Sequence, residues 1–362
     1  LGVKNIDCRQ DGMTIGTNHR ETYLFNSTIN GIEESDAILI IGANPRLEAS
    51  LVNTRIRKSW LAGKTSIALI GENSDLTYDF EHLGTKPSDI LKIVKGRSGF
   101  SKKFKEAKKP SIIVGTGVLN RKDTFKILSY INSLKLKSNL ITDEWNGYNI
   151  LHSVASRVAG LDMGFLPVDG GLDTRKIIEN SKKGKIETIF LLGADELDMS
   201  NLKSSFIIYQ GSHGDAGAHA ADVILPGASY AEKTGIYVNL EGRVQIGIPA
   251  INPKGQAKED WSIIRALSGH LGKALPYDNL DALRSKLFED HSSFAGIGYI
   301  EKATNSNNFD ILPQSEKNTY EDAPFVNPIC DFYMTNVILR ASNIMADCSS
   351  LIDNVGITEA VK

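Results

Sequence analysis

The amino-acid sequence predicts an α/β protein built on a doubly wound, mostly parallel sheet, or on more than one such sheet. Short apolar runs of strand length recur along the chain, and helix-like segments separate them. Several of these runs end directly in a turn of small residues, namely Gly42-Ala43, Gly115-Thr116 and Gly193-Ala194. In a doubly wound sheet such turns lie at the edge where ligands bind, so any ligand of this chain is expected there.

The first βαβ unit lies within residues 36–71. Residues 37–41 are continuously apolar and β-branched, which predicts a buried strand that ends in the turn Gly42-Ala43-Asn44-Pro45. A helix is predicted at 48–61, with apolar positions at Leu51, Ile56 and Trp60. Residues 66–70 predict the second strand. A strand, a helix and a strand in such close succession are typical of parallel strands joined by a crossover.

The same pattern continues further along the chain. Buried strands are predicted at 111–114, 188–192 and 206–209. Helices are predicted at 149–161, at 260–271, and through the apolar residues Phe125, Ile127, Leu128 and Ile131. In segment 149–161 the apolar residues Ile150, Leu151, Val154 and Val158 have a spacing that suits a helix.

The composition changes after about residue 292. The chain becomes polar and proline-bearing with poor periodicity, which predicts an extended C-terminal arm at 292–362 that lies on other surfaces. Residues 334–351 predict one amphipathic terminal helix with Val337, Ile338, Ala341 and Met345 on one face. We therefore expect an α/β domain at residues 1–291, followed by the arm. The domain could consist of two lobes, at about 1–110 and 111–291, and the sequence leaves this open.

Composition and charge exclude several functional classes. With 41 basic and 43 acidic residues the formal net charge is -2, whereas nucleic-acid binding would require a clustered basic excess. The basic segment 102–109 is therefore interpreted as a solvated helix face or a docking patch. The apolar runs are of strand length, far short of the roughly 20 residues that cross a bilayer. Three scattered cysteines, Cys8, Cys330 and Cys348, cannot supply a four-thiolate zinc site or an all-cysteine iron–sulfur cluster.

The glycine-rich segment 211–219 is the most suggestive cluster for chemistry. His213, Asp215 and His219 are of the residue types that form a metal site or an acid–base pair. The segment follows a predicted strand, however, and a tight loop whose histidines bond to backbone is the favoured interpretation. Other acidic residues near strand or loop ends are candidates for acid–base work, but solvated loop carboxylates are more common: Asp143, Glu144, Asp195, Glu196 and Asp198.

The usual nucleotide and hydrolase motifs are incomplete or missing. Gly115-Thr116-Gly117 begins like a dinucleotide fingerprint but lacks the third glycine, and the sequence contains neither a GxxxxGK[ST] phosphate loop nor a GxSxG elbow. We therefore predict no catalytic, cofactor-binding or metal-binding residue on this chain.

One long segment carries a specific family resemblance. Residues 221–245 contain Ala221-Asp222-Val223-Ile224-Leu225-Pro226, then Glu232-Lys233-Thr234-Gly235, then Asn239-Leu240-Glu241-Gly242-Arg243-Val244-Gln245. This resembles the ADVVLP…EK.GT..N.EGR.Q signature of molybdopterin-dependent oxidoreductases such as formate dehydrogenases and nitrate reductases. Gly42-Ala43-Asn44-Pro45 resembles the GxNP turn of the same family. The resemblance implies a sheet of the molybdopterin-oxidoreductase type.

A narrower likeness extends over nearly the whole chain. The segments that carry it are 53–60 (NTRIRKSW), 75–78 (DLTY), 209–215 (YQGSHGD), 259–267 (EDWSIIRAL) and 331–335 (DFYMT). They resemble the largest peripheral-arm subunit of respiratory complex I, in its mitochondrial and alphaproteobacterial branch. In that family an N-terminal ferredoxin-like part binds iron–sulfur clusters, and the following part, which this chain resembles, carries no molybdenum. Cys8 lies too early to align with the metal ligand of active relatives and is interpreted as a small, partly buried thiol.

The resemblance implies a structural role within complex I, which transfers electrons from NADH to quinone and translocates protons. Iron–sulfur clusters and FMN are then expected on a missing N-terminal part and on partner subunits, with none on this chain, and no catalytic site here. The expected partners are other peripheral-arm subunits and the cluster-bearing N-terminal part of the same subunit. The expected location is the matrix side of the mitochondrial inner membrane, with the cytoplasmic side of a bacterial inner membrane as the alternative. Because the chain starts at Leu1 rather than Met, we expect a further segment upstream. An active molybdopterin enzyme and a free-standing α/β binding protein are the two rival interpretations.

Overall fold

The structure, a computed structural model, describes residues 1–300, 310–312, 320–327 and 329–355, with side chains described as far as residue 352. Its first sheet consists of β1 (Ala37–Ile41), β2 (Ser66–Ile70), β3 (Glu81–Gly84), β4 (Pro110–Val114) and β5 (Tyr148–Ile150). The strand order is β3-β2-β1-β4-β5 and every neighbouring pair is parallel. This arrangement confirms the predicted α/β class.

The first sheet is buried on both faces. All five residues of β1 are buried, and they alternate between two clusters of the core. Leu39 and Ile41 join the larger cluster, while Ile38 and Ile40 join the smaller one on the opposite face. Because both faces are covered, each position favours an apolar residue, which is why the strand is a continuous apolar run rather than an alternating one.

Helices surround this sheet. They are α1 (Pro45–Glu48), α2 (Ser50–Leu61), α3 (Pro87–Val94), α4 (Gly99–Glu106), α5 (Thr116–Leu119), α6 (Thr124–Lys135) and α7 (Arg157–Asp162), with 3-10 turns at Arg20–Thr22 and Gly31–Glu34. Helix α6 confirms the helix predicted through Phe125 and Ile131. The predicted helix 48–61 is divided between α1 and α2, because Ala49 has non-helical dihedral angles, with φ -153° and ψ 66°. Leu51 is 73% exposed, so it is not one of the core positions of α2.

The predicted helix at 149–161 is wrong. Tyr148–Ile150 is strand β5, which pairs with residues 112–114 of β4, and α7 begins only at Arg157. Leu151 continues the pairing, since its backbone N–H donates to the carbonyl oxygen of Val114 at 3.0 Å. The apolar residues at the start of this segment are buried by strand pairing, a long-range contact that local spacing does not reveal.

A second parallel sheet has the order β6-β7-β8. It is formed by β6 (Thr188–Leu192), β7 (Phe206–Gly211) and β8 (Val223–Pro226), accompanied by α8 (Thr174–Lys182), a 3-10 turn at Met199–Leu202 and α9 (Ala216–Ala220). Ile189, Leu191 and Ile207 belong to a core cluster against which side chains of α8 pack. Phe190 and Leu192 on the other face are exposed, so the expectation that residues 188–192 are a fully buried strand is wrong for one face.

The family-signature segment continues into a hairpin and two further helices. Strands β9 (Gly235–Val238) and β10 (Val244–Gly247) are antiparallel, and α10 (Asp260–His270), α11 (Leu280–Asp290) and a 3-10 turn at Ser292–Ala295 follow. Helix α10 confirms the prediction for 260–271. The two lobes left open in the sequence do not coincide with the two sheets, because β4, at residues 110–114, pairs with β1 inside the first sheet.

The described part of the arm packs on this chain itself. Ile311 and Phe325 are buried in the larger core cluster. The single terminal helix predicted at 334–351 is wrong: a 3-10 turn at Phe332–Met334, α12 (Val337–Arg340) and α13 (Asn343–Val355) take its place. The Asn336 side chain accepts hydrogen bonds from the backbone N–H groups of Ile338 and Leu339, both at 3.0 Å, and so starts α12 anew. Residues 301–309, 313–319, 328 and 356–362 of the predicted arm lie outside the described residues.

Across the described ranges, every helix is too short or too polar to cross a bilayer.

Candidate functional site

The first candidate site is the crevice between β1 and β4. The chain leaves β1 toward β2 on one side of the sheet and adds β4 on the other side, so the strand order reverses between them. In open α/β sheets ligands bind at this position, beyond the carboxyl ends of the strands. Here the turns after the two strands, Gly42 to Pro45 and Gly115 to Gly117, face one another.

The glycines of these turns allow the two turns to pack closely against each other. A Cβ atom on Gly115 would lie 2.4 Å from the carbonyl oxygen of Gly42 and from the Cβ of Ala43. A Cβ on Gly117 would lie 2.7 Å from the same carbonyl oxygen, and Gly42 itself has a φ of +54°. The close approach of two backbone segments therefore explains Gly115 and Gly117, the two glycines of the incomplete dinucleotide fingerprint.

A carboxylate of the chain itself binds the polar groups of this edge. Glu48, at the end of α1, accepts hydrogen bonds from the backbone N–H of Asn44 at 2.7 Å and of Thr116 at 3.2 Å, and from the Thr116 hydroxyl at 2.8 Å. Burial raises the pKa of the Glu48 carboxyl, and these hydrogen bonds oppose that rise. The donors at the mouth of the crevice are thus already engaged.

The C-terminal arm covers what remains of the crevice. Phe325 is 3% exposed, and a Cβ on Gly42 would lie 3.2 Å from its ring. The guanidinium of Arg121 lies 5.4 Å from the centre of the Phe325 ring. The same guanidinium donates hydrogen bonds to the carbonyl oxygens of Glu321, Ala323 and Pro324 at 2.7–3.3 Å. The space left beside Phe325 and Gly42 is about 10 Å³, room for one water molecule at most.

Further contacts hold this arm segment in place. The backbone N–H of Phe325 donates to the carbonyl oxygen of Thr85 at 2.7 Å. Asp322 accepts hydrogen bonds from the Ser88 backbone N–H at 2.9 Å and from its hydroxyl at 2.8 Å. The segment 320–327 is therefore attached at several points to the edge where a ligand of the first sheet would bind.

The second candidate site lies at the ends of β6 and β7. Asp195, in the turn after β6, is buried and accepts hydrogen bonds from the Tyr209 hydroxyl and from the Gly217 backbone N–H at 2.5 Å. A Cβ on Gly217 would lie 2.5 Å from an Asp195 carboxylate oxygen and 2.6 Å from the Tyr209 ring. Burial and the hydrogen bond to Asp195 raise the pKa of Tyr209. Asp195 thus fixes the position of α9 and is not free for acid–base chemistry.

The two histidines of segment 211–219 do not form a site with Asp215. His213 is partly buried with its Nδ1 at 2.9 Å from the Ser212 hydroxyl, and His219 is exposed. Asp215 pairs instead with Arg340 of α12, at 2.6 Å from its Nε. Throughout the described ranges, no group of three or more His, Cys, Asp or Glu side chains is arranged to hold a metal ion.

Arg340 attaches the arm to this second edge as well. Besides Asp215, its guanidinium contacts both carboxylate oxygens of Glu196, at 2.9 and 3.1 Å. These carboxylates raise the pKa of Arg340. Glu196 after β6 and Asp215 after β7 therefore bind the arm, which contacts both strand-end edges.

The remaining predicted residues have local or surface roles. Asp198 accepts from the Ser200 backbone N–H at 3.1 Å and so caps the 3-10 turn that follows. Asp143 and Glu144 are exposed in the turn before β5. In the basic segment 102–109, Phe104 is buried beneath α4, away from the exposed lysines of the helix.

Four residues that build these edges were missed from the sequence: Glu48, Arg121, Phe325 and Arg340. None of them belongs to a motif. Each acts through a partner at least 68 positions away along the chain, so only the folded structure identifies them.

Comparison with known proteins assigns the chain to a family. The family model described as Molybdopterin oxidoreductase matches residues 1–270. The chain belongs to the molybdopterin oxidoreductase family. A second family model, which describes the C-terminal part of the G-type subunit of NADH-ubiquinone oxidoreductase, matches residues 299–348.

Two curated relatives are similar along nearly the whole chain. The mitochondrial 78 kDa subunit of NADH-ubiquinone oxidoreductase from Candida albicans is 43% identical over 358 residues, which cover 97% of this chain and 48% of the relative. The mitochondrial NADH dehydrogenase [ubiquinone] iron-sulfur protein 1 from Solanum tuberosum is 39% identical, over 97% of this chain and 46% of the relative. The chain spans about half the length of the curated relatives it matches. Among solved structures, acetylene hydratase from Pelobacter acetylenicus has a TM-score of 0.45 at 11% identity, covering 81% of this chain and 54% of that one.

A pterin does not fit the first strand-end edge of this molybdopterin oxidoreductase family member, where about 10 Å³ remains beside Gly42. Burial raises the pKa of the Cys8 thiol to about 11. The Cys8 side chain packs on α7, where a Cβ on Gly160 would lie 3.0 Å from the sulfur. The strand-end edges that would hold a dinucleotide or pterin are filled by the Glu48 carboxylate, Phe325 and Arg340.

A buried polar cluster accompanies Cys8 in the core. Arg157 is 1% exposed and pairs with Asp11 at 2.9 Å. His152 lies beside Arg157, and its Nε2 is 2.6 Å from the carbonyl oxygen of Tyr23. Because a carbonyl oxygen can only accept, the imidazole proton is on Nε2. Burial, reinforced by the Arg157 charge, lowers the pKa of His152 to about 4. The imidazole is therefore neutral at physiological pH and acts as a structural donor.

Proposed function

We propose that this chain is a redox-silent structural part of the peripheral arm of respiratory complex I, NADH:ubiquinone oxidoreductase. One observation carries the proposal. The segment that the second family model matches, residues 299–348, contains both Phe325 and Arg340, the residues that cover the two strand-end edges. The part of the chain that matches the complex I subunit model is thus the part that places Phe325 and Arg340 at the two strand-end edges.

In this role the chain supplies shape and rigidity. Two core clusters cover the two faces of the first sheet, and the arm adds contacts to both sheets. Such a body can hold neighbouring subunits in fixed positions, on which electron transfer between their redox centres depends. With Cys8, Cys330 and Cys348 as its only thiols, the chain has too few for an all-cysteine cluster.

The electron carriers then belong to other polypeptide segments. We propose that the iron–sulfur clusters and FMN reside on the part of the subunit that this chain does not span and on neighbouring peripheral-arm subunits, with no cofactor on the chain itself. The two curated relatives are named as mitochondrial proteins. The location proposed for this chain is accordingly the matrix side of the mitochondrial inner membrane, held there through the complex, with the cytoplasmic side of a bacterial inner membrane as the alternative.

The test is to purify the tagged chain from its own cells and to analyse what accompanies it. We expect flavin- and cluster-bearing complex I subunits in the same band on a native gel, NADH oxidation in that band, and no molybdenum or pterin in proportion to this chain. Stoichiometric molybdenum and pterin would support an active molybdopterin enzyme instead. A monodisperse monomer without respiratory partners would support a free-standing binding protein.

The role of the arm in assembly needs a narrow variant. Removing all residues after 291 would also remove Phe325 from the core, so folding and assembly would fail together. Arg340→Ala removes the contacts to Glu196 and Asp215, and Arg265→Ala, which breaks an ion pair with the exposed Asp278, is the matched control. We expect less assembled complex with Arg340→Ala than with Arg265→Ala. Equal amounts would contradict an assembly role of this contact.

A further inference from the structure

A second, unassigned groove lies between the β9–β10 hairpin and helices α10 and α11. Its volume is about 320 Å³, near the lower end of the range of roughly 300–1,000 Å³ typical of ligand pockets. Its lining residues are different from those that form either strand-end edge. The groove is therefore separate from the crevices that the arm covers.

Apolar side chains form most of the groove. They are Ile236, Tyr237, Trp261, Leu280, Leu283 and Leu287. The Tyr237 ring lies flat across the hairpin, because a Cβ on either Gly235 or Gly247 would be 3.0 Å from it. No residue of α11 is fully buried, so the leucines that this helix directs to the groove keep exposed apolar surface. This surface is available for an occupant.

Most polar groups of the groove are already paired within the chain. Lys233 forms an ion pair with Asp260, and the Asp260 carboxylate also accepts from the Gln210 amide at 2.8 Å. Glu259 accepts from the Trp261 indole N–H at 2.6 Å and from the Thr234 backbone N–H at 3.2 Å. The Asp260 carboxylate is thus paired with a cation, and the Glu259 carboxylate is hydrogen-bonded to neutral donors.

Arg284 is the exception. Its Nη2 is buried in the groove wall, and among the described residues it has no hydrogen-bond partner. A buried donor without an acceptor is unfavourable, and a guanidinium is suited to a planar, two-point contact with a carboxylate. The groove therefore combines an apolar floor with one guanidinium donor that has no acceptor among the described residues, and its complement is an apolar occupant that carries one carboxylate.

We propose that this groove binds a segment of a partner polypeptide that inserts apolar side chains between Tyr237 and Trp261 and places an Asp or Glu carboxylate on Arg284. The proposal rests on the proposed function, in which the chain works inside an assembly of several subunits. A polypeptide is the favoured occupant because a tryptophan, a tyrosine and an arginine around an apolar centre are the composition of interface hot spots. This partner contact is additional to the contacts that the arm makes within the chain.

The experiment places a benzophenone amino acid at Leu283, in the groove, within the purified assembled complex. The matched control carries the same group at Ser285, which is exposed on α11 and does not line the groove. We expect the probe at Leu283 to form a cross-link to an Asp- or Glu-containing segment of another polypeptide, and the probe at Ser285 not to form that cross-link. The yield should fall about tenfold or more in Arg284→Leu, as for the loss of a charge-assisted hydrogen bond, and less in Arg284→Lys.

Folding is checked separately. Because the buried Nη2 of Arg284 has no hydrogen-bond partner to lose among the described residues, Arg284→Leu should leave the melting temperature of the isolated chain unchanged or higher.

Three results would overturn the proposal, and they are distinguishable. In an intact complex, equal or absent cross-links from the two positions would refute the groove contact and leave the proposed function in place. A small acid detected by native mass spectrometry in the wild-type chain and lost in Arg284→Leu, without a cross-link, would show that the occupant is not a polypeptide. Failure of the chain to co-purify with any complex I subunit would refute both proposals.

Discussion

Replacing Phe325 with alanine should destabilise the chain by about 3 kcal/mol, at the lower end of the range for buried phenylalanines. The side chain is 3% exposed and packs on the turn after β1, so its removal exposes apolar surface and opens a cavity beside Gly42. The contact of its ring with Arg121 contributes part of this loss, about 0.5–1 kcal/mol. The loss stays near the lower end because Asp322 and Arg121 still hold the segment in place.

The assay is urea unfolding at pH 7 followed by tryptophan fluorescence, with hydrogen exchange of the Phe325 backbone amide as a local readout. Val326→Ala is the matched control, since its neighbouring side chain is 71% exposed and should change the stability by less than about 0.5 kcal/mol. The Phe325 amide, which donates to Thr85, should exchange slowly in the wild type and fast in Phe325→Ala. A loss below about 1 kcal/mol, or equal losses in the two variants, would show that the arm does not seal the crevice.

Three further predictions concern other parts of the chain. Lowering the pH from 7 to 5 should destabilise the chain by about 2 kcal/mol through His152, because burial lowers the pKa of this imidazole from 6.5 to about 4 and the unfolded chain therefore binds the proton first. Unfolding measured at both pH values should show a smaller loss of stability in His152→Gln than in the wild type. An equal loss would refute the assignment to His152. Gly217→Ala should cost about 1–3 kcal/mol in thermal or urea unfolding because its Cβ would overlap Asp195, whereas Gly214→Ala, with open space around it, should cost little. Iodoacetamide should label Cys8 at least about tenfold more slowly than the exposed Cys330 at pH 7.5, because burial raises the pKa of the Cys8 thiol to about 11. Peptide mass spectrometry measures the two labelling rates, and equal rates would mean that Cys8 is a reactive thiolate.

Groups of the chain itself occupy both strand-end edges. Glu48 accepts from Thr116, and two residues of the arm add a phenyl ring at Gly42 and a guanidinium at Asp215. These contacts join segments that are far apart along the chain.

Local sequence patterns predicted the strands β1, β2, β4, β6 and β7 and the helices α2, α6 and α10. Residues 37–41 and 66–70 are uniformly apolar because both faces of their sheet are covered, and the structure has strands at these positions. The segment at 149–161 was misjudged because its apolar spacing suits a helix, while pairing of Tyr148–Ile150 with β4 decides its conformation. The terminal segment 334–351 suits one continuous helix by its apolar spacing, whereas the Asn336 cap begins α12 at Val337 and a new helix, α13, begins at Asn343.

The α/β class, the positions of the strand-end turns and the family can all be read from the amino-acid sequence, because strand hydrophobicity, glycine turns and a long signature are local features of the chain. Folding in three dimensions is needed to bring Phe325 and Arg340 over those turns, to place Glu48 on Thr116, and to leave the Nη2 of Arg284 without a hydrogen-bond partner among the described residues. Burial and hydrogen bonding depend on which distant residue arrives at a position, and no local periodicity records that.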